Sequence, residues 1–310
     1  MNGLTLAERY FTAYGLPMLK NSFADRMDRI ACGLAGEGSE CFGFDDELSR
    51  DHDWGAAFCL WLTDDDYAAF GQDLAEAYNA LPDTVDGFSR RKESPMAAGR
   101  SGVLRISDFY ARFTGCPDGP HSLAEWQRIP ESFLAVAANG RVFSDPLGRF
   151  SSIRRRLLDF YPEDIRLKKL SYQCHRMGQA GQYNYVRLLR RNDAAAALLA
   201  LSEFSEAAMK TVYLLNRRYA PYYKWIRRGL TQLDRLSGLG EEIDALCALP
   251  PLSPRHVKQI ESICNDVLAD LFLQNLTADK STFLCDQSFA LLQNIQDPFL
   301  QSLPVSMDCC

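Results

Sequence analysis

Two short apolar runs, Ile30 to Ala35 and Ala56 to Leu62, bracket a glycine-rich and acidic stretch, GEGSECFGFDDELSRDHDWG, from Gly36 to Gly55. Runs of this length between turn residues read as strands. The spacer sets a Gly38-Ser39 turn directly behind the first strand and Asp51 and Asp53 at the head of the second, which is expected to extend from about Asp51 to Leu62. On an extended strand alternate side chains share a face, so Asp51 and Asp53 point the same way and His52 packs or hydrogen-bonds on the other side. Two crowded carboxylates repel, and a hard divalent cation with oxygen ligands relieves that. A Gly-Ser turn offers backbone N–H groups and a hydroxyl to a phosphate. The plainer alternative is an acidic surface loop, because Asp45, Asp46 and Glu47 lie in the same stretch.

The flanking sequence supplies the frame. Leu6, Tyr10, Phe11 and Tyr14 repeat at helical spacing, and a second helix is expected over Leu16 to Arg29 after a break at Gly15-Leu16-Pro17. Thr63 followed by Asp64, Asp65 and Asp66 reads as a capped helix start, with Tyr67, Phe70, Leu74, Tyr78 and Leu81 on one face. Residues 82 to 102 read as a long loop whose Arg90, Arg91 and Lys92 either cover a phosphate or are simply solvated. Val103 to Ser107 alternates as a third strand ending at Asp108, and Phe133 to Phe143 reads as a strand pair or as a helix end and a strand broken at Asn139-Gly140. Beyond Phe150 the pattern is helical throughout, which predicts an α+β chain with a small mixed-sheet domain over 1–150 and a helical domain over 151–310.

In the helical half, Asn184, Arg187 and Arg191 fall at i, i+3 and i+7, a polar face that lines a cleft or meets solvent. Residues 194 to 216 form a strong helix with Leu198, Leu201, Ala208, Val212 and Leu215 on its apolar face. It runs into RRYAPYYKW, Arg217 to Trp225, where Pro221 breaks the backbone beside two tyrosines, a lysine and a tryptophan. Such a segment either meets a ligand ring and its phosphates or makes an aromatic helix corner. Ser253-Pro254 opens another helix, and Phe289, Leu292 and Ile295 mark one more.

The Gly-Ser pair, the spacer and the Asp-x-Asp pair resemble the signature of the nucleotidyltransferase superfamily with the DNA polymerase β-like fold. The wider wording, GEGSECFGFDDELSRDHDWG with LLNRRYAPYYKW far downstream, resembles the bacterial domain-of-unknown-function 4037 family. Small superfamily members read Ser-Asp-apolar-Asp; here Arg50 follows Ser49 and His52 separates the carboxylates, while the carboxylate spacing is kept. The resemblance implies transfer of a nucleoside monophosphate from a nucleoside triphosphate, with ATP expected, to a hydroxyl acceptor such as an antibiotic-like small molecule. It implies Mg²⁺ or Mn²⁺ on Asp51 and Asp53, and phosphates on Gly38 and Ser39. A third carboxylate follows from it too: Asp108, whose other reading is a helix cap, with Glu131 and Asp145 in reserve. Lys224 is the expected nucleotide contact, by likeness to the helical domain of aminoglycoside nucleotidyltransferases, and Arg187 is a second. The rivals are a non-catalytic relative that binds a nucleotide or a partner, and a toxin-like transferase acting on RNA or protein.

Charge narrows the partners. The net charge of -6 divides unevenly, since residues 1–150 carry 14 Lys/Arg against 23 Asp/Glu. An acidic half suits metal, and the balance disfavours duplex nucleic acid. The 10 cysteines show no zinc spacing and read as reduced thiols, and no apolar run reaches the roughly 20 residues of a membrane span, so a cytoplasmic location is expected.

Overall fold

The computed structural model describes residues 1–51, 53–92, 94–95 and 99–308; His52 and the terminal cysteine pair fall outside them. The described chain is α+β, and it divides into two compact units, Met1–His121 with Ser132–Asp159, and Ser122–Glu131 with Phe160–Cys310. The second unit thus takes in a short segment, 122–131, that lies ahead of position 150 in sequence.

The first unit is a sheet with helices on both faces. Its order is α1 (Gly3–Tyr10), α2 (Leu16–Ser22), β1 (Ala31–Leu34), β2 (Cys59–Leu62), α3 (Asp64–Asn79), β3 (Thr84–Val85), β4 (Phe88–Ser89), β5 (Gly102–Arg105) and α4 (Ile106–Thr114). After α5 (Leu123–Arg128), which belongs to the second unit, come α6 (Glu131–Ala138), β6 (Arg141–Ser144) and α7 (Arg149–Leu158). The four-stranded sheet runs β5-β2-β1-β6, with β1 antiparallel to β2 and β6, and β2 parallel to β5. Central β2 is buried along its whole length, as a strand covered on both faces must be. Phe58, Leu60 and Leu62 join Leu6, Tyr10, Phe70 and Leu74 in one core cluster. Trp61 points to the opposite face, where it stacks on Phe150 at 3.9 Å and meets Phe109 edge-on at 5.7 Å. Gly33 on β1 makes room for that indole, since a Cβ there would sit 2.9 Å from the Trp61 ring and 2.4 Å from the Arg141 carbonyl.

Several sequence expectations change here. The chain does not break at Gly15-Leu16-Pro17: a π-helical turn, Phe11–Gly15, carries it into α2, with the Leu16 N–H bonding the Phe11 carbonyl. Pro17 sits in the first turn of α2, directly after the π-helical turn, and the helix passes through it. Thr63 caps α3 as expected, its hydroxyl accepting from the Asp66 N–H. The 82–102 loop contains the small β3–β4 hairpin. β5 stops at Arg105, and Ile106 already begins α4. The second strand begins at Cys59, not near Asp51; residues 48–50 form a short 3₁₀ turn instead.

The second unit is helical, with α8 (Glu163–Met177) packed between α10 (Ala194–Leu215) and α14 (Leu284–Gln293). Between α8 and α9 (Val186–Arg191) the helix takes a π-helical stretch, Gly178–Tyr185. This turns Gln182 toward its neighbours, where it donates to Glu261 at 2.9 Å and accepts from the Leu284 N–H. On α10 Leu201, Ala208, Val212 and Leu215 are buried as expected, but at the first turn Ala197 is buried in place of Leu198, which is 68% exposed. Then follow α11 (Tyr223–Leu230), α12 (Leu239–Cys247) and α13 (Arg255–Leu273). α14 and α15 (Pro298–Ser302) complete the unit. No helix among the described residues is long and apolar enough to cross a membrane.

Candidate functional site

Because β1 and β2 are antiparallel, the exit of β1 and the approach to β2 lie at the same end of the sheet. Gly36 through Ser39 and residues 53–56 are therefore gathered there. The turn itself is fixed from several sides. The Asn139 side-chain amide makes a reciprocal pair with the Gly36 backbone, accepting at 2.9 Å and donating at 2.8 Å. Gly38 has φ 125, a conformation that favours glycine, and a Cβ on it would fall 2.5 Å from the Glu40 carboxylate. Ser39 is half-buried and precedes a 3₁₀ turn, Glu40–Phe42.

Behind the turn lies an ion pair that sequence reasoning missed. Glu40 accepts from Arg91, and both side chains are buried. Arg91 is also laddered through its backbone to the Ala56 carbonyl at 3.1 Å. It thus couples the Gly-Ser turn to the approach of β2, and its buried side chain is neither solvated nor a phosphate cover, the two alternatives open for it in the sequence. Fifty-one positions separate the partners, and no local signal pairs them. Its neighbour Arg90 lies over the Tyr78 ring and bonds the Asn79 carbonyl.

The two aspartates occupy a loop. Asp51 is exposed just after the 3₁₀ turn, with φ -69, and Asp53 has φ 52. The alternating-strand geometry does not hold for them. Asp53 is engaged by Ser94, taking its N–H at 2.7 Å on one oxygen and its hydroxyl at 3.0 Å on the other. The expected orientation of His52 lies outside the described residues. Upstream, Asp45 accepts from the Gly3 N–H at 2.8 Å and the Trp54 indole at 3.2 Å.

A pocket of about 200 Å³ opens beside the turn. Ala35, Leu104, Phe109 and Phe113 give it an apolar floor, and Gly36, Glu37, Arg100, Arg112 and Asp108 its polar wall. Glu37 receives Arg112 at 2.5 Å and lies 3.5 Å from Arg100. Asp108 is on the first turn of α4, not at a strand end; it is 3.9 Å from Arg105 and its side chain is mostly exposed. The structure therefore brings Asp108 to the pocket that borders the Gly36–Glu37 turn.

The remaining candidates have other surroundings. Asp145 accepts from the Ser151 N–H at 2.7 Å, capping the start of α7. In the second unit Glu131 accepts from the Ala220 N–H at 3.0 Å, and burial pushes its carboxyl up to about 7 against the lowering influence of Lys169. Arg187 is exposed and lies over the Tyr183 ring at 4.6 Å. Lys224 is exposed on the first turn of α11, 4.9 Å from the Trp225 ring. Of the aromatic segment, Tyr219 packs with Phe160 and Tyr161, whereas Tyr222 and Tyr223 stay exposed. Burial pushes the Cys32 thiol up to about 12 and Cys41 well above the ordinary thiol range, so these two are poor nucleophiles.

Among the described residues no cluster of three or more His, Cys, Asp or Glu side chains is placed to hold a metal. The donor set of the Asp51–Asp53 loop is nonetheless of the right kind for Mg²⁺, which takes one or two carboxylates and completes its shell with water and substrate phosphates.

The model of a family described as a domain of unknown function, DUF4037, matches residues 126–226. The matched stretch includes Glu131, Asp145, Arg187 and Lys224 and excludes the Gly38-Ser39 turn and both aspartates. No curated protein matches the chain.

Proposed function

We propose that the chain is a metal-dependent nucleotidyltransferase that moves a nucleoside monophosphate from a nucleoside triphosphate, ATP being the expected donor, to a hydroxyl acceptor. The observation that supports this is the shared sheet end, where antiparallel β1 and β2 gather a left-handed glycine turn and an aspartate loop. In this reading Gly38 and Ser39 bind the terminal phosphates through backbone N–H groups and a hydroxyl. Asp51 and Asp53 hold Mg²⁺ or Mn²⁺, which supplies charge neutralisation for the phosphates and activation of the attacking oxygen. Asp108, at the pocket rim, takes the acceptor proton. A small hydroxyl compound is the acceptor class proposed.

A specific observation favours the second reading, a nucleotide-binding relative without transfer: Asp53 already spends both carboxylate oxygens on Ser94. Calorimetric titration with ATP and Mg²⁺ separates the readings. For the transferase, binding requires metal and disappears in Asp51→Asn/Asp53→Asn; metal-indifferent binding supports the relative, and no nucleotide binding refutes both.

A further inference from the structure

Arg100 and Arg112 meet at one oxygen. Glu37 Oε2 lies 2.5 Å from an Arg112 nitrogen and 3.5 Å from Arg100 Nε, at the wall of the pocket beside the glycine turn. Two guanidiniums thus converge on one carboxylate, and Asp108, on the same pocket wall, lies 3.9 Å from Arg105. Guanidinium forks match phosphate oxygens as well as carboxylate oxygens. Glu37 belongs to the same Gly36–Gly38 turn, and it lines the pocket that borders that turn.

We propose that Arg100 and Arg112 form the seat for the terminal phosphate of the donor and that Glu37 is a built-in occupant, a latch the phosphate must displace. This inference rests on the nucleotide reading above and adds its regulation. The seat exists before ligand arrives, because Glu37 holds both arginines toward the pocket. The latch lowers affinity for every competing anion, so a single free phosphate is a poor ligand while a polyphosphate, with more charge and further contacts on the turn, displaces the carboxylate. The pocket volume of about 200 Å³ fits that role. It is smaller than the few hundred Å³ of a site for a whole drug-sized ligand, so it takes the end of the chain of phosphates and leaves the nucleoside outside.

The test uses inorganic tripolyphosphate as probe, titrated calorimetrically into the full chain in the presence of a chelator, with wild type, Glu37→Gln and Arg112→Gln. Glu37→Gln keeps the side-chain shape and removes its charge. The expected result is about tenfold tighter tripolyphosphate binding for Glu37→Gln, a loss of at least tenfold for Arg112→Gln, and a gain that shrinks as salt is raised. Unchanged or weaker binding by Glu37→Gln, with its unfolding midpoint intact, overturns the latch. If that variant unfolds, Glu37→Asp, which keeps the charge and shortens the arm, is read instead; binding equal to wild type then overturns it. Metal-free tripolyphosphate needs no ion on Asp51 and Asp53, so the gain given by Glu37→Gln must persist when it is made in the Asp51→Asn/Asp53→Asn background. A latch that passes while metal-dependent ATP binding fails refutes nucleotidyl transfer alone, and the reverse pattern refutes the latch alone.

Discussion

Glu131 gives the strongest pH-dependent prediction. Its carboxyl is pushed up to about 7, first by burial, against lowering influences from Lys169, the Ala220 N–H and Lys210, with Asp308 adding to the rise. A carboxyl whose folded value exceeds its unfolded value binds more protons when folded, so its contribution to stability falls as pH rises between the two values. Below about pH 4 both states are protonated and nothing is lost; above about pH 7 both are ionised and the full cost is present. From an ordinary value of 4.5 to about 7, each factor of ten in proton affinity is worth about 1.4 kcal/mol. Because the residue keeps part of its surface in water, screening trims the sum to about 2 kcal/mol. Glu131→Gln keeps an acceptor for the Ala220 N–H and cannot ionise. The variant and wild type should therefore be equally stable at pH 4.5, and the variant more stable by about 2 kcal/mol at pH 8, a rise of several degrees in its unfolding midpoint. Urea unfolding of both proteins at the two pH values measures the double difference, in which every other titrating group cancels. A difference that does not change with pH, or one that favours wild type more at pH 8, would refute the argument.

Other perturbations follow from the turn and its supports. Arg91→Met leaves the buried Glu40 carboxylate uncompensated and should cost about 3–5 kcal/mol, of which Glu40→Gln on the same chain restores a large part in a double-mutant cycle read by urea unfolding. Gly38→Ala drives a Cβ to 2.5 Å from the Glu40 carboxylate in a left-handed conformation; a loss of about 2 kcal/mol or more, with weaker ATP binding, is expected by thermal melts and calorimetry. Asp66 is buried, which raises its carboxyl, but hydrogen bonds from Arg29 and Thr63 and the Arg29 charge outweigh that and leave it lowered. Its contribution is complete above the ordinary aspartate range and is lost as pH falls through the lowered value, so the stability cost of Asp66→Asn should shrink in acid.

Local chemistry wrote itself plainly into this sequence. The Thr63 cap and its three aspartates, the short strand over residues 31–34 and the helix opening after Pro254 all follow from nearest neighbours in the chain. What stayed hidden is non-local. The end of β2 toward Asp51 looked extended because two carboxylates at i and i+2 fit a pleat. The chain instead turns through φ 52 at Asp53, and Ser94, forty-one positions away, holds that turn. The π-helical turns were equally hidden, since no residue type announces the one extra residue that such a turn takes. At Phe11–Gly15 the result was a continuous helix where proline suggested a break.

The same distinction bears on the candidate site. Sequence spacing singled out the groups that can touch a phosphate or a cation, Gly38, Ser39, Asp51 and Asp53, because a motif is a local pattern. The groups that set their charge and position, Glu40 with Arg91 and Glu37 with Arg100 and Arg112, come from segments separated by 51 to 75 residues. They meet only because the sheet orders β5, β2 and β1 side by side, bringing the entry of β5 to the same sheet end as the exit of β1. Arg91 shows how far the two kinds of information diverge: beside Arg90 and Lys92 it reads as solvated or phosphate-facing, yet its side chain is among the buried ones. A buried guanidinium needs a carboxylate, and that requirement, unlike a motif, points to a partner only after the fold is known. The turn that carries the proposed phosphate contacts is thus shaped from behind by one ion pair and charged from the side by another, and the Glu40 and Glu37 variants report on the two separately.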